Sequence, residues 1–199
     1  MKKTLSLIFT VLISLFLCSC SNTFPSETYF IHAIGFDYDS EKDEYTVLAV
    51  CEKLSDNDEE FLTISAKSDN IKSAANEILS KYKDCYFATS KYYFFEENIS
   101  ENALKTIATQ LSDSNIYPTQ SSVLCLSDVS LRKFFDSIKG IENLQKIEKL
   151  QGKNNVNCIT FLSKITSRKS IKIPSLTNKN GIKKVKSVTF PATKEKNIS

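Results

Sequence analysis

"YFIHAIGFDYDSEKDEYTVLAV", Tyr29 to Val50, reads as two apolar segments pinched around a polar turn. Aromatic and β-branched residues stand at strand density on both sides, in "TYFIHAIGF" and "EYTVLAVCE". Between them "DYDSEKDE" is polar and charged, a loop longer than a tight two-residue turn. In the second segment Val47, Ala49 and Cys51 alternate with Thr46, Leu48 and Val50, so both faces are mostly apolar. A strand covered on both faces belongs inside a sheet with layers on either side, and this predicts a central strand.

Downstream the pattern alternates between strand and helix. "FLTISAKS" predicts a third strand. Ser68 or Asp69 then caps a helix running to about Tyr82, on whose one face Ile71, Ala74, Ala75, Ile78 and Leu79 recur. "CYFATSKYYFFEE" returns to strand character, with Tyr86, Phe87, Tyr92, Tyr93, Phe94 and Phe95 close together. A second helix begins after Ser100 with Leu104, Ile107, Ala108 and Leu111 inward, and "SSVLCLS" is another strand. "SDVSLRKFFDSIKG" predicts a third helix ending in a left-handed cap at Gly140. The order β-β-β-α-β-α-β-α defines an α+β fold, a mixed β-sheet covered by about three helices, over residues 28–140. From Ile141 to Ser199 the signal weakens into a basic C-terminal segment, the start of a second domain. Within it "IENLQKIEKLQG" has helical spacing, "NCITFLSKI" suits strand or helix, and "SLTNKNGIKKVKSVTF" is a hairpin with Asn180-Gly181 in its turn.

Ahead of the fold, Lys2 and Lys3 precede an apolar run from Leu5 to Leu17. The run is shorter than the roughly 20 residues that a membrane-spanning helix needs, and it reads as a signal peptide over residues 1–19. "LCSC" follows, with Leu17 three places before Cys20 and Ser19 directly before it. This resembles the lipobox of bacterial lipoproteins, which implies that Cys20 is lipidated and opens the mature chain. Residues 20–27, ending in "SNTFPSE", form a short polar tether.

Charge is unevenly spread. Cys20 to Leu131 holds 8 Lys/Arg against 19 Asp/Glu, and Arg132 to Ser199 holds 16 against 4. For an exported chain a basic segment points to anionic headgroups, to packing against its own acidic half or to simple solvation, rather than to nucleic acid.

Catalytic chemistry is thin. His32, the sole histidine, lies inside the first strand without a Ser, Cys or Asp pattern that would make it a base, and reads as structural. Four glycines leave no phosphate-cradling loop or nucleophile elbow. Asp37, Asp39, Glu41 and Asp43 alternate as in a calcium loop, but Lys42 and Leu48 stand where such a loop requires glycine and glutamate. The turn therefore reads as a solvated acidic one, and no metal or cofactor is expected. Cys51, Cys85, Cys125 and Cys158 lack metal spacing, and buried thiols are favoured over bridges. The aromatic run reads as core before it reads as a ligand or partner surface. An enzyme is not expected.

The lipobox, the tether, "ETYFIHAIGFDYDSEKDEYTVLAV", "ISAKSDNIKSAANEI" and "YFATSKYYFFEENISENALKTIATQL" follow in an order that resembles the N-terminal region of the Ger(x)C family. These are the lipoprotein C subunits of spore nutrient-germinant receptors. The correspondence rests on Ile34, Gly35, Phe36 and Asp37, on Tyr45 to Val47, on Ser73 to Glu77, and on Glu101 with Leu104. The resemblance covers about Cys20 to Leu131, and the tryptophan-bearing stretch often found after the family's lipid cysteine is absent. It implies a non-enzymatic subunit on the outer face of the spore inner membrane. Its expected partners are two integral-membrane receptor subunits, A and B, and its expected role is assembly or germination signalling. The alternative is a lipid-anchored solute-binding or adhesion module of unrelated function.

Overall fold

The computed structural model describes residues 28–54, 59–82, 84–112, 114–151, 156–166 and 170–190. The signal peptide, the tether and the lipidation position Cys20 lie outside the described residues.

The opening hairpin forms as expected. Strand β1 (Thr28–Asp39) pairs antiparallel with β2 (Glu44–Leu54), and β2 pairs antiparallel with β3 (Glu59–Ser68). Helix α1 (Ile71–Lys81) follows, then a two-residue strand β4 (Cys85–Tyr86), a 3₁₀ turn over Phe87–Thr89, and β5 (Tyr92–Glu96). Next come α2 (Glu101–Ser112), β6 (Val123–Ser127), α3 (Leu131–Phe135), α4 (Ile141–Gln151), α5 (Cys158–Thr166), β7 (Ile171–Thr177) and β8 (Lys183–Phe190). These make one mixed sheet in the order β3-β2-β1-β5-β6-β7-β8, with β4 beside β1. The run β1-β5-β6-β7 is parallel, with antiparallel strands closing both sides. The fold is α+β as the sequence implies, with three α-helices within residues 28–140 and two more after them among the described residues.

Both faces of the sheet are covered. On one, Ile34, Phe36, Val47, Tyr93, Phe95 and Leu124 pack with the apolar faces of α1, α2 and α5. On the other, Leu48, Val50, Phe94 and Cys125 pack with Leu131, Phe134 and Phe135 of α3 and with Leu144 and Ile147 of α4. The alternation read from β2 is therefore real: Val47 and Ala49 face one core and Leu48 and Val50 the other. Phe87, Tyr92, Tyr93, Phe94 and Phe95 are all buried, so the aromatic run is core apart from the exposed Tyr86. Centroids of Phe94 and Phe134 lie 5.1 Å apart, and Phe94 meets Phe135 edge-on.

Several boundaries differ from the sequence reading. Asn70, not Ser68 or Asp69, caps α1: its Oδ1 accepts the Ser73 N–H at 2.7 Å. The third helix is a five-residue turn, and Gly140 does not take the left-handed conformation. Residues 141–190, expected as the start of a second domain, instead supply α4, α5, β7 and β8 to the same sheet and the same two cores. "NCITFLSKI" resolves as helix. Asn180 and Gly181 turn the last hairpin with φ of 59° and 88°, the left-handed conformations that pairing requires.

Candidate functional site

In a parallel sheet the chain leaves each strand at its carboxyl end, and a crevice opens where neighbouring strands send their following segments to opposite faces. That divergence occurs between β5 and β6. After β5 the chain passes to α2 on the first face, and after β6 it passes to α3 on the second. At this point lies a cleft of about 420 Å³ lined by Glu96, Glu97 and Asn98 after β5, by Ser127, Asp128, Val129 and Ser130 after β6, and by Val185 and Lys186 of β8.

Backbone bonds hold its walls. Glu97 N–H donates to Ser127 O at 2.8 Å, and Asp128 N–H donates to Leu176 O at 3.0 Å. The Ser127 hydroxyl donates to Val129 O at 2.7 Å, which tightens the turn into α3. Glu96 Oε1 accepts the Leu131 N–H at 2.9 Å. Desolvation raises the Glu96 carboxyl above its ordinary value, and that bond only partly opposes it. Glu97 is the reverse case. Desolvation pushes it upward, but hydrogen bonds from Lys186 and Ser175 outweigh this and hold it below the ordinary range. Its Oε1 lies 2.5 Å from Lys186 Nζ, and its Oε2 accepts the Ser175 hydroxyl at 2.7 Å. Among the described residues, the occluded Asp128 Oδ1 has no hydrogen-bond partner. The cleft thus holds a closed Glu97–Lys186 pair beside the Glu96 and Asp128 carboxylates.

None of these residues stood out in the sequence. "FFEEN" and "LSDVS" are ordinary strand exits, and what unites them is the divergence of α2 and α3 across the sheet. Sequence reading can reach strand ends through the carboxyl-edge rule only once the sheet order is known, because paired residues of β5 and β6 are 31 positions apart, as in Tyr92 with Val123.

The positions that the sequence singled out lie elsewhere. His32 sits at a bulge in β1, its Nε2 2.8 Å from Glu52 and its ring stacked on Phe61 at 5.6 Å. Glu52 is the partner that the sequence did not reveal. In the acidic turn the groups satisfy one another: Tyr38 donates its hydroxyl to Asp43 at 2.7 Å, Asp39 accepts the Glu41 N–H, and Lys42 lies 3.0 Å from Asp39. Among the described residues no three His, Cys, Asp or Glu side chains are placed to hold a metal ion. Cys51, Cys85, Cys125 and Cys158 are free thiols, three of them buried. Gln151 reaches Cys125 through its amide. No described helix is long and apolar enough to cross a membrane.

The cleft and the start of the chain's described part lie at opposite ends of the sheet. Thr28 begins β1, whereas Glu96 and Ser127 end strands parallel to it. The 12 residues of β1 span about 40 Å at the usual strand rise. Compared with known protein families, curated proteins and solved structures, the chain matches none.

Proposed function

We propose that this chain is a membrane-anchored lipoprotein subunit of a spore nutrient-germinant receptor, held through lipidated Cys20 and acting in receptor assembly or germination signalling without catalysis. The observation that carries the reading is the order of sequence elements that resembles the Ger(x)C lipoproteins, from the lipobox at Cys20 to Glu101 and Leu104. A physical reason for one of these elements supports it. A Cβ on Gly35 would lie 3.0 Å from both Leu131 Cδ1 and Phe135 Cζ, so the glycine of the Ile34-Gly35-Phe36-Asp37 step lets α3 rest on the sheet. Orientation supports it as well. A tether that enters at Thr28 leaves the carboxyl edge and its cleft facing away from the anchored end, accessible to ligand or partner.

Co-purification from spore membranes tests the proposal. Tagged, lipidated protein is expected to recover two integral-membrane subunits, and Cys20→Ala is expected to abolish both the lipid mass and membrane retention. Recovery of the protein alone at normal abundance rejects the receptor reading. The cleft favours the second reading, a lipid-anchored solute-binding module, if those subunits are absent and a small ligand stabilises the protein.

A further inference from the structure

We propose that the amino end of the parallel strands rests on the lipid surface that holds the anchor, through an apolar patch built by Phe30, Leu54 and Tyr86. The inference rests on the lipoprotein reading and adds an orientation to it.

Tyr29 and Ile31 enter the first core, so Phe30 between them points to the second face of the sheet. In β2, Leu48 and Val50 belong to the second core, and the same alternation brings Glu52 and Leu54 to that face. Phe30 stands between Glu52 of β2 and Tyr86 of β4, and its ring stacks on Tyr86 with centroids 5.9 Å apart. Leu54 lies one step farther out, opposite Thr28. Helix α3 covers this face farther along β1, where Leu131 and Phe135 lie against Gly35. Tyr86 is left 47% exposed and Leu54 39%. Tyr117, also exposed, stands in the segment that leads into β6 and so at the same end of the parallel strands. Three of the five exposed large apolar side chains among the described residues thus gather at one end of the molecule.

The chain before β1 decides what covers that end. Cys20 and Thr28 are eight positions apart, and a fully extended chain of that length reaches about 29 Å at most. The end that the tether keeps nearest the bilayer is therefore the end that bears the patch. Its chemistry suits the place, since a tyrosine with an apolar ring and a polar tip settles at headgroup level. Glu52, the charged group on the same face, is already engaged by His32 at 2.8 Å.

The chain has no tryptophan, so a single introduced one reports alone. Full-length lipidated protein carrying Tyr86→Trp is reconstituted into vesicles of phosphatidylcholine, whose neutrality keeps the lysines of β8 out of the measurement. Val185→Trp, beside the carboxyl-edge cleft, serves as the probe of the opposite end. Brominated acyl chains are expected to quench the emission at position 86 and to leave that at position 185 unchanged. Leu54→Trp replaces the first probe if Tyr86→Trp fails to fold. Equal quenching at both ends overturns the orientation. A probe at position 86 that aqueous acrylamide quenches and bromine does not stands in water. One that neither quenches is covered by protein, either the tether or a second copy. Both results overturn the proposal, while a lipid mass on Cys20 leaves the lipoprotein reading intact. Absence of that mass overturns the two together.

Discussion

Gly35 shows how one atom positions a helix. The methyl group of alanine at this position would press on Leu131 and Phe135, which are buried with nowhere to retreat. Overpacking of a filled core costs about 1–3 kcal/mol, so Gly35→Ala is expected to lower the unfolding free energy by that amount, read as a lower urea midpoint with an unchanged slope. Gly140 supplies the contrast. The atoms nearest a Cβ there belong to the Glu142 carboxylate, the far end of a flexible side chain that can swing away, and Gly140→Ala is expected to cost clearly less. A midpoint for Gly35→Ala equal to the wild type would show that α3 does not depend on this close approach. The thiols make a second prediction at the same scale. Burial pushes Cys51 up to about 12 and Cys85 up to about 11, while Cys125 and Cys158 are raised further by nearly complete burial. Thiolate is the reactive form, so all four are expected to resist iodoacetamide at pH 8 in the native state, with half-buried Cys85 reacting first. Full labelling in denaturant and slow, ordered labelling in buffer, read by mass, check this.

Elements were legible where periodicity had length to express itself. The opening hairpin, α1 and α2 stand almost where the alternation and the helical spacing put them. "CYFATSKYYFFEE" misled because aromatic density does not reveal a break. The chain turns at Phe87–Thr89, where the Thr89 hydroxyl donates to Ile31 O at 2.8 Å, and so converts one predicted strand into β4 and β5. The length of α3 was overestimated because buried Ile138 continues the apolar spacing of Leu131, Phe134 and Phe135 after the helix has ended. The cleft was illegible for a different reason: it joins the ends of β5, β6 and β8, whose adjacency only the sheet order establishes. Its ion pair yields a prediction about pH. Since the folded Glu97 carboxyl is held below its ordinary value of 4.5, the pair stabilises the fold above that value. The stabilisation is then lost as pH falls through the lower folded value. Lys186 is 57% exposed, so solvent screening limits the effect to about 0.5 kcal/mol. Lys186→Met is expected to lower neutral-pH stability by about that amount and to flatten the acid limb of a stability–pH profile. An identical acid limb in the variant would mean that the Ser175 hydroxyl alone sets the Glu97 shift.

At the scale of the molecule, the charge asymmetry of the sequence becomes a spatial one. The acidic part of the chain builds β1, β2 and β3 at one side of the sheet, and the basic part builds β7 and β8 at the other. The basic part nonetheless meets the acidic half, through the shared cores and through the Lys186–Glu97 pair. Lys183, Lys184 and Lys186 are exposed along the last strand, whose outer edge pairs with no described strand. Lysines there serve the sheet itself, since a charged edge, further bent by the bulge at Ser175/Leu176, resists pairing with other chains. The same row has a consequence at an anionic surface, where each lysine contributes about 1 kcal/mol within a Debye length of roughly 8 Å at physiological salt. Full-length Cys20→Ala protein, which lacks the lipid, is therefore expected to float with phosphatidylglycerol-containing vesicles at low salt and to be released as salt rises. It is expected to ignore pure phosphatidylcholine. Replacing all three lysines by glutamate should abolish the flotation without changing the far-ultraviolet circular dichroism, because none of the three is buried. Equal flotation with both lipids would assign the attraction to apolar contact, for which Val185, 51% exposed among those lysines, is the residue to replace next.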